Sequence, residues 1–326
     1  MATVYHRDDS GAPTFAFSTS GTNIAHFAAL KTILKACLVS GYGSKPAAGW
    51  ALIAEGDRYL VLRNGTSSGY VCFTWVAATS YFIIHLAATF TGMSGDVMTG
   101  AGLKSGTEAA GSANQHRMWN SVLAHSSSNS TWYLIADEKT FYFQGSGGFS
   151  LFEYASSDFG AMNPLYVGED SAGNFLAMGG QNTNSTQPRA YFGPEGVTVL
   201  RNPATGLLVD TGSIVVVAPG LRLTANANIG VATLGAAHIV PLLEAPLCPV
   251  RWGASVLAGR LRGQALCPLV SMYYPSPAAQ SLGHVGPLNS RNLNTPLPLG
   301  GAYTYFMGVA FDGSPTRIVT NNPEFW

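Results

Sequence analysis

The sequence predicts a mainly β protein, made of antiparallel β-sandwich-like domains with one short N-terminal α-helix packed on the first sheet. Three observations lead there. Short runs of aromatic and β-branched residues recur with a period of two. Turn formers separate them, since the 326 residues include 38 glycines and 18 prolines, more than average usage supplies. Helical periodicity is clear in a single segment near the start.

That segment opens after Thr22 and Asn23, either of which can accept backbone N–H bonds as an N-cap. Ile24, Phe27, Leu30, Leu34 and Leu38 form an apolar stripe, with Lys31 and Lys35 four apart on another face. Ser40-Gly41-Tyr42-Gly43 stops it, because glycine enters the left-handed region without steric cost. The expected helix runs from about 23 to 39.

Strand patterns follow. Residues 50–54 and 59–63 flank Glu55-Gly56-Asp57 as a hairpin, and Asn64-Gly65 offers the next turn. With 70–76 and 81–90 they make a meander of four strands against the helix. A second hairpin joins 132–137 to 140–144 around Glu138-Lys139, with Tyr133 and Ile135 alternating against Trp132 and Leu134. Further strands are expected at 149–154, 197–201, 213–217, 238–243 and 303–311. The stretches 92–112 and 179–188 have loop composition, and the second is polar, uncharged and ends in proline. It divides the chain into an N-terminal β-rich domain over 1–188 and a C-terminal one over 189–326.

Charge is scarce. Charged residues make up 10% of the chain, against roughly 25% in an average soluble domain, and the 17 basic and 17 acidic side chains cancel to a net charge of +0. A nucleic-acid partner is not expected, because no long-range positive field exists to release counterions. Sparse, balanced charge favours self-association, so a homo-oligomer is expected. No apolar run approaches the ~20 residues that cross a bilayer, and Met1 to Asp9 holds Arg7, Asp8 and Asp9 without the apolar stretch of a signal peptide.

The residues that could carry chemistry mostly have structural readings. Cys37, Cys72, Cys248 and Cys267 form no CxxC pair and read as buried free thiols. Gly65-Thr66-Ser67-Ser68-Gly69 has the letters of a nucleophile elbow, but a strand follows where the elbow needs a helix, so it reads as a β-turn. His26 and His85 read as satisfied structural histidines. Asp137-Glu138 and Glu169-Asp170 are the adjacent carboxylates that glycoside hydrolysis would recruit, yet both read as solvated turns. No catalytic residue, metal site or cofactor is expected. Trp119, Trp132 and Tyr133 could line a sugar-binding surface, since aromatic faces stack on pyranose rings. Phe325 and Trp326, two aromatics at a terminus that would otherwise fray, suggest docking on this chain or on a neighbour. With Gly95 and Gly100 in the small-residue stretch, they are the candidate interface residues.

The run from Leu30 to Trp50, with Gly41-Tyr42-Gly43-Ser44-Lys45-Pro46-Ala47-Ala48-Gly49-Trp50 after the helix, resembles virion structural proteins of tailed bacteriophages. In that family a short helix leads through a Gly-Tyr-Gly-x-Lys-x-Ala-Ala-Gly-Trp loop into strands, as Tyr59 to Asn64 continue here. Weaker echoes recur at Trp132 to Asp137, Thr140 to Phe143, Phe159-Gly160 and Arg262-Gly263. Gln264-Ala265-Leu266-Cys267-Pro268 departs from the family's Leu-Pro-Gly-Leu run. The resemblance implies a tail-tip or baseplate component in the virion, packing against itself and other tail proteins, with no catalytic residues to transfer. A host-surface or carbohydrate-binding module of the tail is the alternative. Without the family, the same loop reads as an elbow that stabilises the fold, stiffened by Pro46 and anchored by Trp50.

Overall fold

A computed structural model describes residues 1–14, 24–75, 81–104, 117–119, 131–146, 165–178, 197–201, 205–208, 215–217, 243–249, 259–267, 296, 301–308 and 316–326. The chain is mainly β and antiparallel, as expected, and its elements stack in layers. β1 (Thr3–His6) is followed by α1 (Ile24–Lys35), whose last turn widens into a π-type turn over Ala36–Ser40. The stripe is buried as its spacing requires, through Phe27, Leu30, Ile33, Leu34, Cys37 and Leu38. Gly41 ends it at φ 77°, where a Cβ would sit 2.6 Å from the Lys45 carbonyl oxygen, so only glycine fits.

The meander forms in sequence order. β2 (Ala51–Gly56), β3 (Tyr59–Arg63), β4 (Tyr70–Trp75) and β5 (Tyr81–Ala87) are successive antiparallel neighbours, with Asp57 and Arg58 as the first turn. Lys31 reaches from the helix to the Gly56 carbonyl at 2.5 Å, and Lys35 pairs with Glu55 at 2.8 Å. The stretch 92–112, expected as a loop, contains a hairpin of β6 (Gly92–Ser94) and β7 (Val97–Thr99). Its strands are too short and too rich in small residues to show a period. β8 (Arg117–Trp119) then adds to the free edge of β5.

The second sheet is central. Its order is β1, β9 (Thr131–Ala136), β10 (Thr140–Ser146), β11 (Leu165–Glu169), β12 (Phe175–Met178) and β13 (Val197–Val199). One face, with Trp132, Leu134, Phe141, Phe143 and Val167, shares a core with α1 and the meander's inner face. The other, with Tyr133, Ile135, Tyr142 and Tyr166, packs on Leu261, Phe306 and Val319. Those three belong to the third sheet, ordered β14 (Val215–Val217), β15 (Leu243–Pro249), β16 (Gly259–Cys267), β18 (Thr316–Thr320) and β17 (Tyr305–Gly308). A short 3₁₀ turn, Pro323–Phe325, closes the chain.

A sheet covered on both faces reads as nearly continuous apolar runs, which is why Trp132-Tyr133-Leu134-Ile135-Ala136 carries no polar partner set. The expected strand at 149–154, the N-cap residues Thr22 and Asn23, and the expected boundary at 188 lie outside the described residues. β13, beyond that boundary, is a strand of the central sheet.

Candidate functional site

The three sheets converge on one polar cluster. At the β9–β10 turn, Asp137 Oδ1 accepts the backbone N–H groups of Lys139 and Thr140, both at 2.9 Å. Aspartate does this readily, since its short carboxylate mimics a turn carbonyl. Arg262 on β16 meets the same carboxylate from the third sheet, Nη2 to Oδ2 at 2.5 Å and Nη1 to Oδ1 at 3.1 Å, and donates also to Thr140 Oγ1 at 3.0 Å. The planar fork matches the carboxylate in a way lysine could not. The Trp326 ring covers the guanidinium at 5.3 Å from ring centre to Cζ, and its indole N–H donates to the Thr320 carbonyl at 2.6 Å. Gly263, at φ 69°, leaves room for that ring, since a Cβ there would lie 2.4 Å from it.

The meander joins from the other side. Trp50 Nε1–H donates to the Asp137 carbonyl at 3.0 Å, and the Gly65 N–H to the Glu138 carbonyl at 2.7 Å. Asn64 Nδ2 donates to Glu169 Oε1 at 3.2 Å, and the Thr66 hydroxyl donates to the same oxygen. Tyr166 links the layers again: its hydroxyl donates to the Glu169 carbonyl at 2.8 Å and accepts the Arg262 N–H at 3.2 Å. Asp170 closes the 170–174 turn, accepting the Ala172 and Asn174 N–H groups at 2.8 and 2.9 Å. Burial pushes its carboxyl above the ordinary range, against those hydrogen bonds.

These carboxylates therefore hold the layers in register, and their oxygens are taken up by donors of the chain itself. The expectation of solvated turns needs correction here. Asp137 does sit in a turn, but Glu169 is the last residue of β11, and Glu169 and Asp170 are both buried. Glu169 takes its donors from Asn64 and Thr66, about 100 positions away in sequence, whereas those of Asp170 lie within its own turn. Ser67 lies in a turn as expected, at φ 59°, with its N–H donating to the Asn64 carbonyl at 3.0 Å.

The Gly41–Trp50 loop is a second clasp. Tyr42 donates to Asp9 Oδ2 at 2.9 Å, Lys45 Nζ to the Val4 carbonyl at 2.9 Å, and Tyr5 to the Pro46 carbonyl at 2.7 Å. Lys45 also pairs with Asp9 at 3.3 Å. The loop thus fastens the helix to edge strand β1.

Two of the proposed sugar contacts are corrected. Trp132 and Tyr133 are each 0% exposed. Trp132 donates its indole N–H to the Pro13 carbonyl at 3.0 Å, and Tyr133 stacks on Phe306 at 4.0 Å with 7° between the rings. Adjacent strand residues point to opposite faces, and both faces of this sheet are covered. Trp119 lies on edge strand β8, and its side chain is outside the described residues. Gly95 sits at the β6–β7 turn with φ 61° and open space around it; Gly100 is pressed on the Thr89 carbonyl, 1.7 Å from where a Cβ would be. Phe325 is half-buried in the terminal turn, and Trp326 docks on its own chain.

Cys37 and Cys72 are buried free thiols, as expected; the side chains of Cys248 and Cys267 are outside the described residues. His85 departs from expectation, since it is buried with no hydrogen-bond partner at either ring nitrogen. Among the described residues no group of three or more His, Cys, Asp and Glu could hold a metal ion, and no helix is long and apolar enough to cross a membrane. Compared with protein-family models, curated proteins and solved structures, the chain matches none. The sequence signal for the clasp was the pairing of Asp137 with a hairpin turn and the Arg262-Gly263 dipeptide, but nothing in one dimension pairs them.

Proposed function

We propose that this chain is a structural subunit of a tailed-bacteriophage virion, of the tail tip or baseplate, assembled in the host cytoplasm. It acts by self-association and by packing against other tail proteins, without catalysing a reaction. The charge balance carries this reading: 17 basic and 17 acidic groups in 326 residues are few. Several are consumed internally, in the pairs Arg262–Asp137, Lys35–Glu55 and Lys45–Asp9. An exterior so poor in ions suits burial between subunits, where charged residues are depleted. The resemblance of the Gly41–Trp50 loop to the virion family supports the same reading, and that loop serves the fold itself. The proposed contacts are the stretch 92–112, with Gly95 at its open turn, and the terminal turn with Phe325. Leu52, on edge strand β2 and 40% exposed, adds apolar surface. The carbohydrate-binding alternative loses Trp132 and Tyr133 to the core.

Sedimentation of the full chain over a concentration series tests this, together with cryo-electron microscopy of the native particle. Concentration-dependent oligomers, and density for the chain among tail proteins, are expected. Phe325→Glu, which places a charge in the proposed contact, is expected to weaken assembly while leaving the melting temperature within a few degrees. A chain that stays monomeric at high concentration, with intact and infectious particles lacking it, overturns the reading.

A further inference from the structure

The outer face of the meander sheet carries a buried group of side chains that neither clasp uses. On β4, Val71, Phe73 and Trp75 face the main core, so Cys72 and Thr74 face outward. On β5, Phe82, Ile84 and Leu86 face that core, so His85 and Ala87 face outward. The register sets Cys72 directly across from His85, with Val61 on its other side. Directly opposed residues have Cβ atoms about 4.5–5.5 Å apart, a span that one ion can bridge.

The β6–β7 hairpin lies over this pair. It sets Met93 directly opposite Met98, and both pack in one cluster with Cys72. Met98 is fully buried, and its backbone N–H donates to the Cys72 sulfur. Thr74 fastens the hairpin by donating to the Asp96 carbonyl at 2.6 Å, and its hydroxyl oxygen lies 3.4 Å from the Cys72 sulfur. His85 is 0% exposed, and neither Nδ1 nor Nε2 has a hydrogen-bond partner. Buried polar atoms are nearly always satisfied, so an imidazole left with a free lone pair across from a thiol that itself packs with two thioethers points to a ligand.

We propose that Cys72 and His85, with Met98 and Met93 from the hairpin, form a site for a soft monovalent d¹⁰ cation of the Cu(I) class. Thiolate, thioether and imidazole donors select that ion over harder ones. Charge selects it as well. One thiolate neutralises one unit of positive charge, leaving a neutral complex among the apolar side chains of Val61, Ala87 and Met98, whereas a divalent ion would strand a buried charge. On binding, the Cys72 S–H bond breaks, its proton leaves to solvent and a metal–sulfur bond forms. His85 and Met98 give lone pairs, and no oxidation state changes. Binding releases the Cys72 proton, so occupancy increases with pH.

The test is an anaerobic titration of the full chain with Cu(I) against a chromophoric Cu(I) chelator, with Zn(II) as the control ion. The chain is expected to hold one Cu(I) against the chelator, with X-ray absorption showing a mixed sulfur and nitrogen shell, and to hold no Zn(II) comparably. Cys72→Ala loses that ion, Met98→Leu weakens it, and Cys37→Ala retains it. In the unaltered chain, the X-ray absorption spectrum reads the site without a variant. The proposal is overturned if no Cu(I) is held, if that spectrum lacks the mixed sulfur and nitrogen shell, if Cys72→Ala keeps the ion, or if Cys37→Ala abolishes its binding.

Discussion

Arg262 and Asp137, 125 residues apart, meet in a two-pronged ion pair that bolts the third sheet to the β9–β10 turn of the central one. Both side chains are mostly removed from water, at 10% and 18% exposure. Removing one partner of such a pair strands the other, which costs about 3–5 kcal/mol when burial is full and somewhat less here. Arg262→Ala should lower stability by about 2–4 kcal/mol in urea denaturation. Arg262→Lys should recover only part of that, because a single ammonium cannot satisfy both oxygens. In a double-mutant cycle with Asp137→Asn, a coupling near zero would show the pair to be idle.

Gly263→Ala tests the docking of Trp326. The left-handed φ disfavours any side chain, and the new methyl meets the indole ring at 2.4 Å. A loss of about 1–3 kcal/mol is expected, with a red shift of tryptophan emission as the ring moves into water. Unchanged emission would mean that the terminus is held by other contacts.

Gly95 and Gly100 should respond in opposite ways. A side chain at Gly100 collides with the Thr89 backbone, whereas Gly95 has a positive φ and open space, which asparagine tolerates. Gly100→Ala is expected to lower the melting temperature by several degrees, and Gly95→Asn to leave it nearly unchanged. Equal effects in differential scanning calorimetry would contradict the packing around β7.

Acid should weaken the fold through His85. Its folded pKa, lowered to about 4 by burial, lies below the unfolded value of about 6.5. The unfolded chain therefore binds the proton first, and stability falls as pH drops from about 6.5 toward 4. Above that window the group contributes nothing to the pH dependence. The loss should reach about 2 kcal/mol at pH 5. His85→Leu should flatten that part of the stability profile, and an unchanged slope would assign the acid sensitivity to other groups.

The local elements were legible in one dimension. The helix shows because one stripe of Phe27, Leu30 and Leu34 faces one core, and the meander shows because its strands follow one another with turn residues between. Strands β1 and β18 were not legible, being short and paired with partners far away in the chain, and neither was β7, three residues in a hairpin too short to show a period. Packing in three dimensions covers the central sheet on both sides, which puts Trp132 and Tyr133 in the core and not on the surface. It alone paired Asp137 with Arg262, joined Asn64 to Glu169, and set Cys72 across from His85 beneath a hairpin. The difference is one of range. Period and turn chemistry act over a few residues, whereas burial and ion pairing depend on which distant segments exclude water from each other.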